Sequence, residues 1–135
     1  MYKKRIITVI VSVAMFCMMA MTAFADTGVH ISLPKDQVWT SGQAVSRTGN
    51  YSYVSVSLDS VYPTSGSDYF TKIQAKLVNR IGVLIMTSNY VILKEGDGYQ
   101  NLHIQEGYLA SKLVYIKFRG NTDAAAEAIV NYTGN

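Results

Sequence analysis

Between residues 51 and 132 apolar side chains recur at every second position, in runs that turn residues keep interrupting. Val54, Val56 and Leu58 share one parity, and Ser55 and Ser57 take the other. Tyr69, Thr71, Ile73, Ala75 and Leu77 alternate against Phe70, Lys72, Gln74, Lys76 and Val78. Period two puts successive side chains on opposite faces of a strand, so these runs read as a sheet with one wet face. No long stripe of helical spacing interrupts them after residue 25.

Punctuation sets the strand length. Pro34, Gly42, Gly49-Asn50, Pro63 with Gly66, Gly96 and Gly98, Gly107 and Gly120-Asn121 cut the chain into short pieces. Strands are expected near 29–33, 37–41, 43–48, 51–61, 69–78, 82–87, 90–94, 99–105, 111–119 and 126–132, some of them merging. The expected class is all-β, an antiparallel sandwich or small barrel of about seven to eight strands. The tail reads as a turn near 122–125 followed by a final strand.

The first 25 residues read differently. Lys3, Lys4 and Arg5 precede a nearly unbroken apolar run over 6–21, and Ala23-Phe24-Ala25 offers small residues for a signal peptidase. The stretch from Ile6 to Ala25 is about long enough to span a bilayer, so a retained anchor is the rival reading. Cleavage after Ala25 leaves one domain over 26–135, secreted or held at the cell surface. Three of the 12 Lys and Arg leave with the leader, so nine face the nine Asp and Glu. A domain balanced in charge gives no footing to nucleic-acid binding, or to membrane contact beyond export. The single cysteine, Cys17, lies in the leader, so neither a disulfide nor a thiolate metal site is expected, and no cofactor is implied.

Catalytic signatures are missing: there is no HExxH, P-loop, GxSxG or EF-hand loop. His30 and His103 stand alone. The acids Asp59, Asp68, Glu95, Asp97, Glu106, Asp123 and Glu127, with Asp26 and Asp36 near the start, fall mostly at turns, where carboxylates serve local backbone bonds. The run around Glu95 and Asp97 reads as a tight hairpin rather than a cation loop. Aromatics are the more suggestive group. With Val54, Val56 and Leu58 inward, Tyr51 and Tyr53 point out, and Tyr51, Tyr53, Tyr99 and Tyr108 are the residues assigned to ligand binding. Trp39, the one Trp, is assigned to the core. The run 81–86, from Ile81 to Met86, is apolar on both parities. It reads as a strand covered on both faces, by a loop or by a second copy of the chain in a homo-oligomer.

The function expected from these residues is a secreted, non-enzymatic protein binding an extracellular or envelope ligand, glycan or protein, through surface aromatics. A bacteriocin-like protein acting on competitor envelopes is the alternative. A small extracytoplasmic hydrolase built on a carboxylate pair is the third.

Overall fold

The computed structural model describes residues 25–65 and 70–134. The expected leader, apart from Ala25, lies outside the described residues, as do Asp68 and Tyr69. Eight strands are seen among the described residues: β1 (Ala25–Leu33), β2 (Gln43–Ser46), β3 (Tyr53–Pro63), β4 (Lys72–Val78), β5 (Val91–Lys94), β6 (Gln100–His103), β7 (Leu113–Gly120) and β8 (Ala126–Thr133). They form two antiparallel four-stranded sheets, ordered β1-β8-β3-β6 and β2-β7-β4-β5. The chain is an all-β sandwich.

The alternation decides which side chains meet between the layers. Val54, Val56 and Leu58 of β3, Leu102 of β6, and Ala126, Ala128, Val130 and Tyr132 of β8 line the inner face of the first sheet. Ile73, Ala75 and Leu77 of β4, Leu93 of β5, and Val114, Ile116 and Phe118 of β7 oppose them from the second. Each of these residues is buried, because both inner faces leave water together.

One irregularity in β3 sets the parity of its second half. The register against β8 shifts between Leu58 and Ser60, so Asp59 is the extra residue of a bulge and Val61 turns inward. The loop after β5 docks on this bulge. Glu95 Oε1 accepts the Val61 N–H at 2.7 Å, and the Gly96 N–H reaches the Leu58 carbonyl at 3.3 Å. Because β5 belongs to one sheet and β6 to the other, residues 95–99 form an arch between the layers, not the expected hairpin.

Two expected strands do not form. In place of a strand over 37–41, the chain turns through Asp36 (φ 64°) and Gln37 (φ 54°). It then touches β7 at one position: the Thr40 N–H donates to the Phe118 carbonyl at 2.8 Å, and the Thr40 hydroxyl accepts the Phe118 N–H at 3.0 Å. A side-chain oxygen there takes the place of a ladder carbonyl. The run 81–86 is not a doubly covered strand either. Asn79 Oδ1 accepts the N–H groups of Ile81 and Val83 at 3.1 and 2.9 Å, and Gly82 takes φ 86°, which L side chains rarely adopt. Ile81 therefore stands 82% exposed at a turn, while Ile85 and Met86 drop into the core. The segment beyond the turn stitches the layers together. The Ile85 N–H donates to the Leu77 carbonyl of β4, and the Gln105 N–H, just past β6, donates to the Ile85 carbonyl. The two apolar halves of this run thus have different reasons.

Candidate functional site

The four tyrosines assigned to binding do not gather. Tyr51 and Tyr53 lie with ring centroids 5.6 Å apart, and His103, opposite Tyr53 on β6, adds an edge contact at 5.9 Å. Tyr99 is exposed but precedes the other end of β6. Tyr108 sits in a 3-10 turn, Glu106–Tyr108, partly buried against the core. Two of the four are therefore brought together, and two are not.

Around the tyrosine pair, the outer face of the first sheet is a polar ladder bonded to itself. The Asn131 amide donates to Ser57 Oγ at 3.1 Å and to Asp59 Oδ1 at 2.8 Å, and its oxygen accepts the Gly28 N–H. Ser55 donates to Asn101, and Ser32 to the Glu127 carboxylate. Three further candidate acids are engaged in the same way: Glu95 holds the β3 bulge, Asp59 holds Asn131, and Asp123 accepts from Gln37 at 3.4 Å. Among the described residues no three His, Asp or Glu side chains converge as a metal site would need.

The outer face of the second sheet has the opposite character. Alternation sends Lys72, Gln74 and Lys76 of β4, Lys94 of β5, and Tyr115, Lys117 and Arg119 of β7 to the side away from the core. The strands β2, β4, β5 and β7 carry five Lys and Arg and no Asp or Glu, whereas β1, β3, β6 and β8 carry three Asp and Glu and no Lys or Arg. The charges carried by the strands are thus segregated, cations on one sheet and acids on the other. Register makes the segregation sharper. Lys76 stands directly opposite Lys117, and Lys72 opposite Lys94. Like charges in directly opposed positions destabilise a sheet.

Trp39 lies on this face, half-buried, and not in the core where its size had placed it. The turn at 36–37 and the Thr40 bonds bring the Trp39 ring over the cations of β4 and β7. Lys76 Nζ and the Arg119 guanidinium carbon are each 4.4 Å from its centroid. Arg119 also lies 5.3 Å from the Tyr90 ring, and the two rings are 6.5 Å apart. Beneath them Gln74 fixes the guanidinium: Arg119 Nε donates to Gln74 Oε1 at 2.5 Å, and the Gln74 amide donates to Asn121 Oδ1 at 3.0 Å. Burial pushes the Lys76 ammonium below the ordinary lysine range, and the nearby charges of Lys117 and Arg119 push it the same way.

Along the same face, past Lys117, the sheet opens into a groove of about 400 Å³ lined by Val78, Arg80, Ile81, Tyr115 and Lys117. Gly42 lets the chain approach closely here; a Cβ on it would lie 2.8 Å from Tyr115 Cβ. The groove thus adds Arg80 and the Tyr115 ring to the cation–aromatic cluster.

Sequence reasoning missed Trp39, Arg119, Lys76 and Lys117 as a group. The usable signal was the shared outward parity of Lys72, Gln74 and Lys76; what local pattern lacks is that β7 is the neighbour of β4. No family model, known protein or solved structure matches this chain.

Proposed function

We propose that this protein is an exported, non-enzymatic binding protein that takes an extracellular or envelope ligand, glycan or protein, on the outer face of the β2-β7-β4-β5 sheet. One observation carries the reading: Trp39, Tyr90, Arg119 and Lys76 are clustered on a rigid sheet in a region with two like-charge cross-strand pairs. Such pairing disfavours folding and is relieved by a bound ligand of opposite charge. Aromatic faces and an oriented guanidinium are the side chains that anchor partners at interfaces. Export is supported by Lys3, Lys4 and Arg5, the apolar run behind them and the Ala23-Phe24-Ala25 sequence.

The test is a glycan-array and pull-down screen comparing the wild-type protein with Trp39→Ala/Arg119→Ala and Tyr51→Ala/Tyr53→Ala variants, each checked for folding by circular dichroism. Binding lost in the first variant and kept in the second supports this face. Binding kept in the first and lost in the second moves the site to the tyrosine pair of the other sheet.

A further inference from the structure

We propose that the ligand of this face is an acidic polysaccharide, bound along a line of cations from Arg80 and Lys117 through Lys76 to Arg119. The inference rests on the face assigned above and adds the chemistry of what it takes.

The charge pattern requires several anionic groups, not one. Neighbouring strands lie about 4.8 Å apart and same-face residues of one strand about 7 Å apart. Lys76, Lys117 and Arg119 therefore form a tight triangle, with Lys72 and Lys94 as a second pair further along the sheet. No strand of that sheet carries a carboxylate to neutralise them. A single small anion would neutralise one corner; a polymer with a charge on each repeat would neutralise the line.

The rings select among polyanions. Tyr115 lines the groove, and Trp39 and Tyr90 flank Arg119, so apolar ring faces are interleaved with the cations. A sugar ring offers C–H faces to aromatics and, when acidic, an anionic group at its edge, which fits that interleaving. A single-stranded nucleic acid would use the same cations and rings; the leader-like Lys3, Lys4 and Arg5 with the apolar run behind them favour a polymer met outside the cell, and the oligo-dT arm below separates the two. An anionic lipid surface also attracts Lys and Arg, and the vesicle arm below distinguishes it from a polysaccharide.

The experiment measures affinity of the protein produced from its full-length sequence for polygalacturonate, heparin and phosphomannan, acidic polysaccharides that carry carboxylate, sulfate and phosphate. Dextran, oligo-dT and phosphatidylglycerol vesicles are the comparison arms. The expected result is binding to at least one acidic polymer, at least tenfold weaker in 0.5 M than in 0.05 M NaCl. Lys76→Gln/Lys117→Gln is expected to weaken it a further tenfold or more without lowering the unfolding midpoint. Which acidic polymer binds most tightly identifies the anionic group. Dextran bound as tightly and without salt dependence, yet lost in Trp39→Ala/Arg119→Ala, overturns the acidic ligand and keeps the face. Preference for oligo-dT or vesicles over all three acidic polymers overturns the polysaccharide. Binding that none of these variants alters overturns both the ligand and the face. Failure to bind any acidic polymer at 0.05 M NaCl overturns the inference.

Discussion

Lys76 and Lys117 occupy directly opposed positions on neighbouring antiparallel strands, both on the face turned away from the core. Such a juxtaposition gives nothing to the fold. Replacing Lys117 by Glu converts repulsion into attraction at the same two positions. Lys117→Glu is expected to raise stability by about 0.5–1 kcal/mol, read as a higher urea midpoint with an unchanged slope. A lower midpoint would show that the Lys117 side chain packs in a way its charge does not explain.

The same pair governs a titration. Burial first, then Lys117 and Arg119, depress the Lys76 ammonium. Its charged form is therefore penalised in the folded state at every pH below its folded value. As pH rises from that value to the unfolded one, the unfolded chain holds more protons, and the contribution of Lys76 to stability increases. Lys117→Gln is expected to move the Lys76 titration back toward the ordinary range without reaching it, since burial persists. Nitrogen-detected NMR of the lysine side chains follows this directly, and a bound polyanion should move it the same way.

Glu95 has a structural duty. Its carboxylate accepts the Val61 N–H on the bulged edge of β3, where no ladder carbonyl is available. Glu95→Ala is expected to destabilise the fold by about 1–3 kcal/mol, the cost of an unpaired N–H. Glu95→Gln keeps an acceptor oxygen and should lose less than about 1 kcal/mol. Urea unfolding of the two variants side by side separates the acceptor from the charge.

Arg47 is buried without a carboxylate partner among its bonds. Its guanidinium donates to the Leu109 carbonyl at 3.2 Å, to Ser111 at 2.6 Å and to Tyr51 at 2.5 Å, tying two loops together. Arg47→Met leaves three carbonyls without that donor and is expected to cost about 2–4 kcal/mol. Lys has one head group in place of a planar fork, so Arg47→Lys should recover only part of the loss. Hydrogen exchange should quicken at the Leu109 and Ser111 N–H groups, which bond to the Glu106 and Tyr108 carbonyls, because their turn loses the guanidinium that anchors its own carbonyls.

What the sequence made legible was local. Parity along β3, β4, β7 and β8 identified the inner residues, since alternation records which face of a single strand avoids water. Three features escaped, two of them because each depends on a neighbour distant along the chain and the third because a local side-chain cap splits an apolar run. The β3 bulge is held by a carboxylate 34 residues away. Trp39 looked like core by size, and its place is fixed by Thr40 meeting Phe118, 78 residues on. The run over 81–86 looked uniform, yet an Asn79 cap exposes its start while Leu77 and Gln105 bury its end. The candidate face was hidden further by net charge, a sum that discards position. Of the four tyrosines chosen, Tyr51 and Tyr53 were placed together correctly by parity, while Tyr108 was claimed by the core through a turn no pattern announced.

Gathering Lys72, Lys76, Lys94, Lys117 and Arg119 on one layer, whose strands carry no acid, gives that side of the domain a local positive field. Such a particle can be electrically neutral in an isoelectric focusing gel and still adhere to a cation-exchange resin, always by the same side. On any negatively charged wall it would settle in one orientation, with the amide-and-hydroxyl layer facing away.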